Sequence, residues 1–180
     1  MTENKIILIY KSSTGFTKRY AEMIAKEVEC TLIDYKVVTA KMLSEYNTVV
    51  FGSRAYAGMI DGYKKFKKLL EKSGNRKFIL FVTGATSNEA KDVIEEFWKQ
   101  NLTADELSEV PHFFMQSGLC YEKMSFMDKF MMKAAATMVK NKKDKTPSDE
   151  EFEQAIAKSY DISSETYIEP LVSFLKETDK

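Results

Sequence analysis

The chain has 180 residues, of which 44% are hydrophobic and 30% are charged, a composition that is typical of one globular domain and excludes a disordered chain. Basic and acidic residues number 27 each, so the net charge does not indicate a nucleic-acid partner, and none is predicted. No apolar run approaches the roughly 18 residues of a membrane-spanning helix, and the polar start Met1-Thr2-Glu3-Asn4 does not match a signal peptide. The expected location is the cytoplasm.

A loop rich in hydroxyl groups, Ser12-Ser13-Thr14-Gly15-Phe16-Thr17, connects the first predicted strand, Ile6–Tyr10, to an amphipathic run, Lys18–Val28, that predicts a helix. The first N–H groups of a helix are unpaired and carry partial positive charge, so a helix start suits a phosphate group. The glycine of this loop lets the backbone turn close to a ligand. Hydroxyl donors are spaced along the loop at Ser12, Thr14 and Thr17. The alternative interpretation is an ordinary capped helix after a Ser/Thr-rich turn.

Apolar runs alternate with helical patterns along the rest of the chain. Val49–Phe51 and Phe78–Val82 are continuous rather than alternating runs, as in strands that are covered on both faces. The further predicted strands are Thr31–Asp34, Thr48–Gly52, Phe78–Thr83 and His112–Gln116. The further predicted helices are Ala40–Ser44, Gly62–Lys72, Glu89–Asn101 and Ile168–Lys176. Five rounds of strand and helix predict an α/β fold, a doubly wound five-stranded parallel sheet in the order 2-1-3-4-5.

A helical insert, at about residues 117–162, separates the last predicted strand from the final helix. It contains a predicted helix, Ser125–Asn141, that Ser125 caps. A second helix is predicted to start at Ser148, with Glu151 three residues further on. No repeat, low-complexity segment or linker divides the chain, so residues 1–180 are predicted to form one domain.

The pattern Ser-x-Thr-Gly-x-Thr at residues 12–17, directly after the first strand, resembles the phosphate-binding loop of the flavodoxins, which hold the phosphate of FMN. The order of strands and helices extends this resemblance to the whole chain. The resemblance implies FMN as the cofactor, with its phosphate in this loop and its ring at the loops after the third and fourth strands. These are the carboxyl ends of strands, where open parallel sheets bind their ligands.

The implied ring site lies in two loops. After the third strand, Tyr56 offers a flat partner for a flavin ring, and Gly58 tolerates the peptide flip that a change in protonation at flavin N5 demands. Taken alone, a tyrosine in such a loop is also typical of a surface turn. After the fourth strand, small residues would let the ring edge approach the backbone, while Ser87 or Asn88 is predicted to cap the next helix. The predicted cofactor-binding residues are Ser12, Ser13, Thr14, Gly15, Phe16, Thr17, Ala55, Tyr56, Ala57, Gly58, Thr83, Gly84, Ala85 and Thr86.

Within this superfamily, the inserted segment Tyr121–Met131 looks like the branch that includes the menaquinone-linked, flavodoxin-like protoporphyrinogen oxidases. Small electron-carrying flavodoxins are typically strongly acidic, whereas this chain is neutral. Arg54, Lys64 and Lys65 lie in or near a ring loop, where a cation stabilises the anionic reduced flavin and raises its potential. The chain also differs from those flavodoxins in being rich in methionine around the insert.

Rival nucleotide folds and catalytic constellations fit poorly. The chain has neither the Gly-x-Gly-x-x-Gly of dinucleotide sites nor the Gly-Lys-Ser/Thr of triphosphate sites. A phospho-receiver domain needs acids where Lys11-Ser12 and Gly52-Ser53 stand. His112, the only histidine, is expected at the surface. Cys30 and Cys120 fit no metal spacing and are expected to be reduced, buried thiols, so neither a metal site nor a catalytic residue is predicted.

The leading hypothesis is therefore an FMN-binding, flavodoxin-like redox protein, with the choice between an enzyme and an electron carrier left open. One alternative is a quinone-linked oxidoreductase of the protoporphyrinogen-oxidase kind. The other is a flavin-free interaction module on the same fold. The expected partner is a redox partner protein or a quinone-like small molecule.

The insert carries an apolar stripe whose members recur at three- and four-residue steps and so share one helical face. Its members are Phe126, Met127, Phe130, Met131, Ala134 and Met138. One hypothesis is that the stripe packs onto the sheet or a neighbouring chain. The other is that part of it stays open beside the flavin as a methionine-rich substrate surface. The flanking lysines, Lys129, Lys133 and Lys140, would suit an acidic substituent or an anionic membrane, so residues 124–143 are a predicted peripheral membrane contact.

Overall fold

The computed structural model describes residues 5–74, 77–146, 149–150, 153–154 and 156–178. The strands of its main sheet are β1 Ile6–Tyr10, β2 Thr31–Asp34, β3 Thr48–Tyr56, β4 Met59–Ile60, β5 Lys77–Gly84 and β6 His112–Gln116. Five of them form a parallel sheet in the order β2-β1-β3-β5-β6, and the short β4 pairs antiparallel with β3. Without β4 this is the predicted 2-1-3-4-5 order, so the predicted fold class is confirmed.

Helices cover both faces of this sheet. Those within the described residues are α1 Phe16–Glu27, α2 Ala40–Leu43, α3 Tyr63–Ser73, α4 Lys91–Asn101, α5 Ala104–Glu109, α6 Phe126–Lys140 and α7 Glu169–Glu177. Successive residues of a strand point to opposite faces. Ile6 and Leu8 therefore pack with α1 and α7, whereas Ile7 and Ile9 pack on the side of α2, α3 and α4. Because both faces are buried, these strands appear in the sequence as continuous apolar runs.

The third strand extends beyond its predicted end. β3 continues from the predicted Gly52 to Tyr56 because Ser53 and Arg54 pair with β5, and Ala55 and Tyr56 pair with β4 across a tight turn. The two central residues of this turn, Ala57 and Gly58, have positive φ values of 49° and 76°. Such values match the right-handed twist of a hairpin. The loop predicted to contact the flavin ring is thus the turn of a hairpin within the sheet.

The predicted cap of α4 is wrong. The helix begins at Lys91, and its N-cap residue, Ala90, makes no side-chain hydrogen bond, so neither Ser87 nor Asn88 caps it. Asn88 instead forms two hydrogen bonds with Gln116 at the end of β6. The backbone N–H of each residue donates to the side-chain oxygen of the other, at 3.1 Å. The side chain that looked like a cap therefore fastens the loop after β5 to the neighbouring strand.

Two short strands form the base of the insert. β7, Gly118–Leu119, pairs antiparallel with β8, Tyr160–Asp161. A Cβ atom on Gly118 would lie 2.2 Å from the carbonyl oxygen of Tyr160, so this close approach requires glycine. The two ends of the insert are therefore held together beside the last strand of the main sheet.

The long helix of the insert forms where the sequence predicts it. Ser125 caps α6, its hydroxyl oxygen accepting a hydrogen bond from the backbone N–H of Asp128 at 3.1 Å. The predicted helix start at Ser148 with Glu151 lies outside the described residues. Neither α6 nor any other helix in the described ranges has the length and apolarity needed to cross a membrane.

Candidate cofactor-binding site

The carboxyl ends of β1, β3 and β5 surround a cavity of about 780 Å³. This is the edge at which open parallel sheets bind ligands, and the volume suits a cofactor. Twelve of the predicted site residues line it: Ser13, Thr14, Phe16, Thr17, Ala55, Tyr56, Ala57, Gly58, Thr83, Gly84, Ala85 and Thr86. The other two, Ser12 and Gly15, do not line this cavity. They bond to each other within the first loop, where the Ser12 hydroxyl oxygen accepts a hydrogen bond from the Gly15 N–H at 3.2 Å. The fold thus brings three loops that are distant in sequence around one space.

The first turn of α1 forms one end of this cavity. Gly15 is its N-cap residue, with a φ of 101°, and no side-chain hydrogen bond caps the helix. The first N–H groups of α1 therefore lack the side-chain acceptor that usually satisfies them. The loop offers these N–H groups and the hydroxyls of Ser13 and Thr14, and residues 11–17 contain no carboxylate. This donor set fits a phosphate group.

Thr17 and Thr83 join the first loop to the third. Both are buried, and their hydroxyl oxygens lie 2.8 Å apart. The Thr17 hydroxyl, predicted as a donor to phosphate, is therefore shared with Thr83 and is not a free group. Its contact holds the start of α1 against the end of β5.

Asn101, at the end of α4, holds the turn between β3 and β4. Its side-chain N–H groups donate to the carbonyl oxygens of Gly58 and Phe97, both at 2.9 Å. Its side-chain oxygen accepts from the Ile60 N–H, also at 2.9 Å. The peptide of Gly58 is thereby fixed towards α4. Sequence reasoning missed Asn101, because an asparagine at a helix end carries no local sign of a partner 43 residues away.

Four charged side chains connect β3 to the insert. Arg54 contacts two carboxylates: its Nε lies 3.2 Å from Asp61 Oδ2, and its Nη1 lies 3.1 Å from Asp128 Oδ2. The Lys11 ammonium also pairs with Asp61, at 2.6 Å. Two cations therefore face two carboxylates. From the sequence, the charge of Arg54 is expected to raise the flavin potential. Because Asp61 and Asp128 compensate this charge, its expected effect on the potential is smaller.

Tyr56 lines the cavity together with two of these charged residues, Arg54 and Asp128. The Arg54 guanidinium carbon stands 4.3 Å from the centroid of its ring, so one ring face is covered. Its hydroxyl interacts with the Asp128 carboxylate, and this interaction is the main reason that the pKa of Tyr56 is raised. Burial raises the pKa of Asp128, but the hydrogen bond from Arg54 and the charge of Arg54, with a smaller contribution from Tyr56, outweigh burial and leave that pKa lowered. A flavin ring would use the opposite face of Tyr56.

A family model described as a flavodoxin domain matches residues 7–146, which is more than half of the chain. The chain belongs to this flavodoxin-domain family. It is similar to a flavodoxin from the domain Archaea, with 22% identity over 71% of this chain and 90% of that one, at a TM-score of 0.43. A WrbA-like flavodoxin from Agrobacterium tumefaciens gives 22% identity, coverage of 69% and 87%, and a TM-score of 0.42. Two-electron reduced Megasphaera elsdenii flavodoxin gives 15% identity, coverage of 84% and 98%, and a TM-score of 0.44. No curated protein matches the sequence.

The insert forms a second wall of the cavity in this flavodoxin domain. Its contributions are mostly apolar: Met124, Asp128, Met131, Met132, Ala135 and Ile156. Helix α4 contributes three apolar residues, Val93, Ile94 and Phe97, and three polar ones, Asp92, Glu96 and Gln100. The cavity therefore continues from the three loops into an apolar space beneath α6.

The outward face of α6 is exposed in this chain. Of the predicted stripe, Phe126 is 91% exposed and Met138 is 76% exposed. Met127, Phe130 and Met131 are exposed as well, although Met131 also lines the cavity. The hypothesis that the stripe packs onto the sheet is wrong, whereas packing against a neighbouring chain stays a hypothesis. The helix turns a narrower side towards the cavity and its broad apolar side outward.

Proposed function

We propose that this flavodoxin domain binds FMN and transfers electrons through the bound flavin. The observation that carries the proposal is the convergence of three loops around one cavity whose end is the uncapped start of α1. That end suits one terminal phosphate, and the sequence has no dinucleotide fingerprint, which favours FMN over FAD. Bound FMN would supply the redox chemistry, and the chain would supply binding and orientation.

The chain's own residues divide these tasks. The first N–H groups of α1 and the Thr14 hydroxyl would hold the phosphate. The uncovered face of Tyr56 would pack against the ring. The turn at Gly58, fixed by Asn101, would present backbone groups to the ring edge. Gly84, on the third loop, leaves the space that the ring of Phe114 fills beside the cavity, since a Cβ atom there would lie 2.8 Å from that ring.

The proposal is tested with the purified protein and its apoprotein. The absorbance spectrum shows whether flavin copurifies, and mass analysis of the released cofactor identifies it. The apoprotein is then titrated with FMN, FAD and riboflavin while the quenching of flavin fluorescence is followed. FMN should bind more tightly than the other two. An apoprotein that binds none of the three would contradict the proposal and support a flavin-free interaction module.

Tyr56→Ala is expected to weaken FMN binding by about 1–3 kcal/mol, as for the loss of an aromatic side chain that stacks on a base. Tyr56→Phe is the matched control, because it keeps the ring and removes only the hydroxyl, which interacts with Asp128. Fluorescence titration of both apoproteins measures the difference. Unchanged FMN affinity and an unchanged flavin spectrum in Tyr56→Ala would mean that the ring has another partner.

A second candidate function, a quinone-linked oxidoreductase of the protoporphyrinogen-oxidase kind, is favoured by the apolar extension of the cavity beneath α6. Met132→Glu places a charge in this extension and is expected to lower turnover of a soluble quinone at least about tenfold, since an unpaired charge disfavours an apolar ligand there. FMN should stay bound. Met138→Glu is the control, because Met138 is 76% exposed and does not line the cavity. Equal quinone turnover by both variants would reject this candidate.

The other expectations about partners and location stay predictions. They are a redox partner protein, a quinone-like small molecule, peripheral membrane contact through residues 124–143, and a cytoplasmic location. The exposed apolar face of α6 with its flanking lysines is the feature of this chain on which the membrane prediction depends.

A further inference from the structure

A smaller cavity of about 280 Å³ adjoins the start of α1 on the side of the insert. Thr14, Gly15 and Phe16 line one wall, and Lys123, at the end of the short 3-10 turn Tyr121–Lys123, lines the other. The ammonium nitrogen of Lys123 lies 3.8 Å from the position that a Cβ atom would take on Gly15. A cation of the insert therefore lies at the helix start that is proposed to hold the phosphate.

Two cations line this smaller cavity, and they differ in their partners. Arg19 forms an ion pair with Asp161 of β8, so its charge is compensated. Glu122, the acidic neighbour of Lys123 in sequence, accepts a hydrogen bond from the Ser159 hydroxyl at 2.8 Å. Within the described part of the chain, no carboxylate pairs with Lys123. Lys123 is thus the cation at this helix start that is available to an anionic ligand.

We propose that Lys123 binds the phosphate of the cofactor, an inference that rests on the proposed FMN function. A phosphate monoester carries about two negative charges at neutral pH. The first loop offers the phosphate only neutral hydroxyl and N–H groups. Lys11, the one cation in residues 11–17, is already paired with Asp61. Lys123 adds a full positive charge, which strengthens the hydrogen bond to phosphate. Since Lys123 belongs to the insert, cofactor binding and the position of the insert are coupled.

Lys123→Gln tests the assignment in the full-length apoprotein, with FMN and riboflavin as the two probes. We expect the dissociation constant of FMN to rise about tenfold, as for the loss of a hydrogen bond to a charged group. The dissociation constant of riboflavin should not change, because riboflavin lacks the phosphate. Lys123→Arg should restore most of the FMN affinity. Lys41→Gln is the matched control, because Lys41 is exposed on α2, which packs on the other face of the sheet from α1.

The outcomes separate this assignment from the proposed function. Failure of the parent apoprotein to bind either flavin would reject the FMN function and the role of Lys123 with it. If the parent binds FMN but Lys123→Gln binds it equally well, the function stands and the role of Lys123 is rejected. Equal weakening of FMN and riboflavin in Lys123→Gln would also reject it, because Lys123 would then act on the fold of the insert and not on the phosphate.

Discussion

Asp128→Ala is expected to release α6 from the cofactor site, weakening its attachment by about 2 kcal/mol, because Arg54 loses a charged hydrogen bond and one of its two carboxylate partners. Asp128 is 6% exposed and accepts a hydrogen bond from Arg54 at 3.1 Å. In the variant, Arg54 keeps only Asp61 as a partner. The central sheet does not include α6, so the expected effect is local. Amide hydrogen exchange should become fast in α6 and stay slow in β1 and β3.

Two further variants show whether charge is the cause. Asp144→Ala removes an exposed aspartate of the loop after α6 and should leave exchange in that helix unchanged. The double variant Arg54→Met with Asp128→Leu removes both charges and should recover part of the lost protection, since no unpaired charge is left. If the amides of α6 exchange as slowly in Asp128→Ala as in the parent protein, the ion pair is not what attaches the helix.

The same ion pair makes the attachment depend on pH. The pKa of Asp128 is lowered from its ordinary value of 3.8, so its contribution is fully present above that value and is lost as the pH falls through the lowered pKa. The methyl NMR signals of Met131 and Met132, which line the cavity, should report release of α6 in acid. In Asp128→Ala the released signals should be present already at neutral pH.

The central sheet is predictable from the sequence because its signals are local. Phe78–Val82 is continuously apolar, which a strand buried on both faces requires. The glycine and hydroxyl groups before α1 mark a helix start within a few residues. The extension of β3 to Tyr56 is not local in this sense, since it depends on pairing with β4. The turn that permits this pairing places Ala57 at a positive φ, which an alanine rarely adopts.

The supports of the candidate site are not predictable in this way, because they join residues that are far apart in the chain. Arg54 and Asp128 are separated by 74 positions, and no residue next to either of them in sequence indicates that the two form an ion pair. Asn88 looks like a helix cap until the fold brings Gln116 beside it. The stripe on α6 shows the same limit, since periodicity identifies an apolar face but not what covers it.

Thr14→Glu is expected to weaken FMN binding at least about a hundredfold, since placing like charges side by side costs several kcal/mol. Thr14 lines both the larger and the smaller cavity at the start of α1. A carboxylate there would face the phosphate directly. It would also accept hydrogen bonds from the first N–H groups of α1 and occupy the helix start itself. The apoprotein is titrated with FMN, and flavin fluorescence gives the dissociation constant.

Thr14→Gln is the matched control, because glutamine has nearly the size of glutamate and no charge. Riboflavin, which lacks the phosphate, is the second control. If the first loop holds the phosphate, the glutamate variant should reject FMN and still bind riboflavin as well as the glutamine variant does. Equal FMN affinity of the two variants would place the phosphate elsewhere. A glutamate variant that loses both flavins to the same extent would trace the effect to a distorted loop, because a carboxylate repels only the ligand that carries charge.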